Sequence, residues 1–265
     1  IKTRHGETAG EISPEYIEAL AEVFKGEELD NVAMPKPEEL TDEYFAKMYP
    51  VKQREEDTAR GLVSYRPSWW NDAANKDVVG PAAETLGQAY ERSMRSEAEM
   101  LGERAILTES IQKQKYTDGS QQYGTVEGIE ADKDPLAPLI QEIFGEKASR
   151  FNLSWNDITE KLLPKVKEKI QDAFADKHLS MPNFAVIMTP ALVSNRQMTD
   201  LRLENSQTNT YEWTSTILLK QDGTDSGSRL VVGGSENGGA GCVDRDHRVG
   251  RWGNRGFRLS VVFEK

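Results

Sequence analysis

The chain has 265 residues, 37% of them hydrophobic and 29% charged, which is long enough to bury a substantial core in one large or two medium domains. A formal net charge of -11 repels phosphate and argues against duplex nucleic acid as a partner. The single cysteine, Cys242, excludes an intramolecular disulfide and a Cys/His zinc cluster, and no apolar run approaches the roughly 18 residues of a membrane span.

The first half is patterned for helices. Ser13-Pro14 is a start signal, with serine as N-cap and proline at the first helical position. Tyr16, Ile17, Leu20, Val23 and Phe24 then share a face, and Gly26 is a natural stop. Thr41 is placed to cap a second short helix carrying Tyr44, Phe45 and Met48. Residues 50–80 lack periodicity and include Trp69 and Trp70, two large rings that need burial. The spacing of Leu86, Tyr90, Met94, Leu101 and Ala105 predicts a long helix over 82–115 with a thin apolar stripe. The stripe and the two tryptophans point to contacts with other subunits, as in a homo-oligomer or larger assembly. Residues 117–134, rich in Gly, Asp and Gln, are expected to form the boundary between two domains.

Ser154 is expected to cap a helix through Leu163, with Pro164 kinking it or starting another that buries Val166, Ile170 and Phe174. Beyond His178 the pattern changes to strands, at 184–188, 211–219, 229–232 and 257–263. In the last of these, Phe257, Leu259, Val261 and Phe263 fall on one side, since strand side chains alternate with a period of two. The order predicts an α+β protein, with a helical part over 1–134 and a mixed β domain over 135–265.

Three short strings invite a catalytic or metal reading. Arg4-His5-Gly6-Glu7-Thr8 resembles the phosphohistidine motif of histidine phosphatases. That chemistry needs a buried strand before it and a second histidine in context, which neither His178 nor His247 has, so the match reads as coincidence. Asp222, Gly223 and Asp225 could offer oxygens to calcium, but without a closing bidentate glutamate they read as a turn. Cys242 near His247 lacks any oxyanion-hole string and reads as a packed thiol. No catalytic residue, metal or cofactor is expected.

The C-terminus carries pieces in fixed order. Tyr211-Glu212-Trp213-Thr214-Ser215 is followed by Arg229-Leu230-Val231-Val232-Gly233-Gly234-Ser235, then a Gly- and Arg-rich stretch, then Gly256-Phe257-Arg258-Leu259. This set resembles the closing half of the formylglycine-generating (sulfatase-modifying) enzymes. It equally resembles the variable proteins of diversity-generating retroelements, which share a C-type-lectin-type fold. The resemblance spans about fifty residues. It implies a lectin-like domain displaying loops to a protein or glycan receptor, on a virion or a cell surface. The enzyme alternative would need a redox thiol, and Cys242 is the one available; in addition, Glu236 stands where that family has tryptophan. A structural virion or assembly role is a third reading.

Residues 235–255 are nearly free of aliphatic side chains and hold Asn237, Asp244, Asp246, His247, Arg248, Arg251, Trp252, Asn254 and Arg255, the expected ligand-binding set. One aromatic anchor among directional hydrogen-bonding groups is what a recognition patch needs. Apart from Glu236 and Trp252, the segment uses residues that randomised adenines can encode. Four arginines, at 245, 248, 251 and 255, would form a local inversion of sign on an acidic protein and steer acidic ligands there. His247, ordinarily titrating near 6.5, would make binding pH-sensitive.

Overall fold

Strands form where β-branched and apolar residues alternate, and in the computed structural model eight of them build two four-stranded sheets. The structure describes residues 12–25, 29–49, 68–74, 80, 83–109, 134–200, 211–233, 243–253 and 255–264. The chain is α+β, with helices concentrated toward the N-terminus and strands toward the C-terminus. The helices are α1 (Pro14–Val23), α2 (Asp42–Met48), α3 (Leu86–Leu101), α4 (Ala137–Phe144), α5 (Trp155–Asp157, Ile158–Leu162 and Leu163–Asp176, continuous) and α6 (Ala191–Asp200). The strands are β1 (Leu29–Val32), β2 (Ala105–Glu109), β3 (Phe184–Met188), β4 (Tyr211–Leu219), β5 (Asp225–Gly233), β6 (Val243–His247), β7 (Arg255–Phe257) and β8 (Leu259–Phe263). No helix among the described residues is long and apolar enough to cross a membrane.

The first sheet runs β1-β2-β8-β3, antiparallel throughout, and the second runs β6-β5-β4-β7, with β7 parallel to β4. The first sheet is covered on both faces. Leu107, Phe184, Val186, Val261 and Phe263 point to a core shared with α1 and α5, whereas Ile106 and Val262 point to a second core with α3 and the second sheet. The expected division near residue 134 therefore falls between strands of one sheet: β1 and β2 precede it, and β3 and β8 follow it.

Local signals set several elements. Thr41 Oγ1 accepts from the Tyr44 N–H at 3.2 Å and starts α2. Ser154 and Asp157 form a reciprocal capping box at the head of α5. Pro164 does not break that helix. A π turn precedes it, in which the Leu163 N–H bonds Ile158 O five residues back, and proline follows with no N–H to place. Gly26 lies outside the described residues, but Lys25 already leaves α1 with a left-handed φ of 48°.

The helix expected over 82–115 is shorter. Thr85 and Gln88 cap its start, Gly102 ends it at φ 54°, and the chain then enters β2. Ala105, Ile106, Leu107 and Thr108 are all buried, since β2 lies between two strands with helices on both faces. A continuous apolar run of that kind suits a central strand as well as a helix. The thin stripe of α3 is covered from within, with Tyr90, Met94 and Ala98 all at 0% exposure. Trp70, expected to seek another subunit, is buried against Tyr49 and Tyr90, at 5.1 and 5.8 Å between ring centroids. Gly87 makes room for it: a Cβ there would lie 1.9 Å from the indole Nε1.

Buried charge ties the sheets together. Arg150, wholly buried, donates to both oxygens of Glu109 at 2.8 Å and to both oxygens of Asp134 at 2.8 and 2.9 Å. Burial works against the Asp134 carboxylate, but Arg150 outweighs it and holds the carboxyl below the usual range. Arg150→Met is expected to cost about 3–5 kcal/mol, because it strands two carboxylates in the interior; urea unfolding would measure this.

Glu97, on α3, is 5% exposed and accepts from the Ser215 hydroxyl at 2.6 Å and from the Thr216 hydroxyl. Burial pushes its pKa up to about 7 against the pull of those two hydroxyls. The fold therefore favours the protonated form. The associated stability is complete below the unfolded value, near 4.3, and is lost as pH rises through about 7. Thermal melts across that window should fall with pH in the wild type, and Glu97→Gln should flatten the dependence.

Candidate ligand face on the β6–β7 loop

Most of the described C-terminal residues that carry the resemblance are buried; Tyr211 and Ser215 are half-buried, and Gly234 and Ser235 lie outside the described residues. Trp213 is at 0% exposure and donates its indole N–H to Leu153 O at 3.0 Å. Glu212 and Arg258 form a buried pair at 3.0 Å that joins β4 to the β7–β8 junction. Arg258 also donates to Glu109 O at 3.1 Å. Arg229 is 2% exposed, forks onto Asp225 at 2.8 and 2.9 Å, and lies 4.2 Å from the centre of the Trp155 ring. These groups build the frame.

The expected ligand residues lie beyond that frame, on β6 and the turn after it. His247, Arg248, Arg251 and Trp252 are exposed, while Asp244, Asp246 and Arg255 are half-buried. Asn237 and Asn254 lie outside the described residues, as do Cys242 and the Arg4–Thr8 string. Among the described residues β6 pairs only with β5 and is an edge strand, which places its following turn at the rim of the second sheet.

Backbone hydrogen bonds fix this turn. Arg248 N–H donates to Gly227 O at 3.1 Å, and Arg248 O accepts from Asn156 N–H at 3.2 Å. Gly250 N–H closes onto His247 O at 2.8 Å, and Trp252 O accepts from Asn152 N–H at 3.2 Å and Arg255 N–H at 3.1 Å. Asn152 sits at φ 60°, a left-handed conformation that asparagine tolerates better than most residues. The loop is thereby seated on the head of α5.

Three of the four arginines expected to form a free positive cluster are paired, and Arg245 is half-buried on β6. Arg251 bonds Asp157 at 2.7 Å, Arg248 lies 3.6 Å from Asp225, and Arg255 bonds Asp246 at 2.6 Å while stacking 4.2 Å over Tyr211. Asp157 and Asp225, distant in sequence, supply the compensating charge, and nothing in the 235–255 segment could have revealed them. Burial pushes Asp157 upward, but the Ser154 hydroxyl, Lys161, the Ser154 N–H and Arg251 together hold it at about 2. Asp244 is raised, first by burial and then by Asp246. The Asp222 carboxylate closes its own turn onto Thr224, and Asp225 is committed to arginines, so that string serves as a turn.

Beside the loop lies an open groove of about 860 Å³, walled by Phe144, Glu146, Lys147, Asn152, Arg251 and Gly253 among others. Trp252, whose chain neighbours Arg251 and Gly253 line it, is 47% exposed but does not itself line the groove. The arrangement offers a flat ring and several hydrogen-bonding groups on a braced turn, which is suited to holding a ligand.

No family model, curated protein or solved structure matches the chain.

Asp157→Asn should loosen the seat of the loop. Asp157 is held below its unfolded value, so its contribution is present above about pH 4 and is lost as pH falls through about 2. The wild type should lose stability across that acid window, and the variant should lose correspondingly less, as read by circular dichroism against pH.

Proposed function

We propose that the chain is a ligand-binding protein rather than an enzyme, presenting residues 235–255 to a receptor on a lectin-like β frame. The reading extends to a variable protein of a diversity-generating retroelement acting at a virion or cell surface. One observation carries it: Trp252 is 47% exposed although its own carbonyl is fixed by two backbone hydrogen bonds. An exposed large aromatic on a rigid turn loses little entropy when it is covered, which is the economy of a binding anchor. The order of the C-terminal motifs supports the same reading, because most of the described motif residues are buried while His247 to Trp252, apart from half-buried Gly250, are exposed.

A test follows from separating frame and face. Arg251→Ala combined with Trp252→Ala removes side chains that are 56% and 47% exposed, so stability should change by no more than about 1 kcal/mol. Binding of the full chain to surface extracts of candidate hosts should fall by at least about tenfold, as for a hot spot. A double variant that binds as the wild type does would remove this assignment. Diversification itself is checked in the genome: a near-copy of the coding segment for 235–255, differing mainly at adenines and beside a reverse transcriptase, is the expected finding.

A further inference from the structure

We infer that Asp246 and Arg255 are positioning residues rather than ligand contacts: together they clamp the base of the connection between β6 and β7 and fix the Trp252 turn before a ligand arrives. The inference rests on the reading of this turn as a ligand face, and it assigns two members of the expected ligand set to the support of that face.

The need for a clamp follows from strand order. β6 and β7 are the outer strands of the second sheet, with β5 and β4 between them. β6 ends at His247 and β7 begins at Arg255. Among the described residues β6 pairs with β5 and β7 with β4, so no ladder joins the two ends of the connection. In a hairpin, the pairing of the flanking strands would hold those ends and set their register. Here a side-chain pair does so. Arg255 Nε donates to Asp246 Oδ2 at 2.6 Å, from the first residue of one strand to the last but one of the other.

The pair is sheltered, with its two side chains 12% and 16% exposed. Water and salt screen such a pair weakly, and removing one partner strands the other charge in a dry setting. The guanidinium also lies 4.2 Å from the centre of the Tyr211 ring, which holds it against β4. Its charge reaches a second carboxylate. Asp244 and Asp246 fall on the same face of β6; burial and then Asp246 raise the Asp244 carboxyl, and Arg255 acts against that rise. On the main chain, the Arg255 N–H donates to Trp252 O at 3.1 Å. One residue thus holds β6 through its side chain and the aromatic anchor through its backbone. Side chains so covered and committed have little surface left for a ligand. Their contribution is order in the turn, which lowers the entropy that binding must remove.

Amide hydrogen exchange of the full chain, resolved by residue in NMR spectra, tests the clamp through Asp246→Asn, Arg255→Met and the double variant. Each single variant should speed exchange at residues 248, 250 and 255 by about tenfold, between the losses usual for exposed and for buried pairs. The amides of β4 and β5 should keep their rates. The double variant should exchange no faster than the faster single, because there is one clamp to lose. Arg255→Lys, which keeps the charge, should fall between the wild type and Arg255→Met, and with Asp246→Asn it carries the test if Arg255→Met fails to fold. Unchanged exchange at these residues in the single variants, or single effects that add in the double, would overturn the clamp. Acceleration spread equally over β4 and β5 would make the pair a general brace of the sheet and overturn it as well. No ligand enters the measurement, so its failure leaves the ligand face to the binding test of Arg251 and Trp252, and failure of that test leaves the clamp standing.

Discussion

The chain changes sheets at one residue, and the fold depends on that crossing being held. β7 ends at Phe257 in the second sheet, β8 begins at Leu259 in the first, and Arg258 lies between them. Two buried arginines clamp the junction. Arg258 reaches Glu212 on β4 and Glu109 O on β2, and Arg150 reaches the Glu109 carboxylate and, at 3.3 Å, Phe257 O. The same Glu109 carboxylate accepts from the Leu259 N–H at 2.7 Å. Each charge is satisfied from several sides, as buried ions must be to offset their desolvation. An apolar junction of equal volume could be as stable, but it would not dictate which residue turns the corner.

That constraint explains why the C-terminal motifs take the form they do. Glu212 is the partner of Arg258, Trp213 fills the space beside it and bonds Leu153 O, and Arg229 locks the start of β5 to Asp225 across the Trp155 ring. They are polar or bulky residues at interior positions, so their substitution would disturb the frame directly. The turn beyond β6 stands outside this set. Frame and face thus use different residues, although fewer than twenty positions separate Arg229 from His247.

Period-two alternation made β3 and β4 legible in advance, and β8 in part, because Phe184, Val186, Leu259, Val261 and Phe263 each meet a core on one side; the single strand expected over 257–263 breaks at Arg258 and leaves Phe257 in the other sheet. Capping chemistry placed α2 and the head of α5 for a similar reason, since Thr41 and Ser154 act within three residues of themselves. What failed to show was long-range. The helical periodicity of 82–115 runs on into β2 because a strand buried on both faces has no alternation to betray it, and its partners β1 and β8 lie far off in sequence. Trp70 and the α3 stripe looked unpartnered for the same reason, their cover being supplied by Tyr49 and the second sheet. On the turn after β6 the exposed Trp252 and His247 could be named from local composition. The neutralising Asp157 and Asp225 could not, as pairing between distant charges leaves no local trace.

The way the loop is fixed bears on what it can become. Its fixed points are main-chain groups, the N–H and carbonyl of Arg248, the N–H of Gly250 and the carbonyl of Trp252, whose bonds run to Gly227, Asn156, His247, Asn152 and Arg255. Those bonds do not depend on which side chains the loop carries. Exposed positions such as His247, Arg248 and Val249 can therefore change identity while the turn keeps its path, at the small energies usual for surface substitutions. Two positions also make side-chain contacts with the frame. Gly250 is crowded by the indole it supports, and Arg251 answers a carboxylate that would otherwise keep only Ser154 and Lys161. The turn is thus fixed through its main chain where it meets α5, while the side chains of His247, Arg248 and Val249 are exposed to solvent.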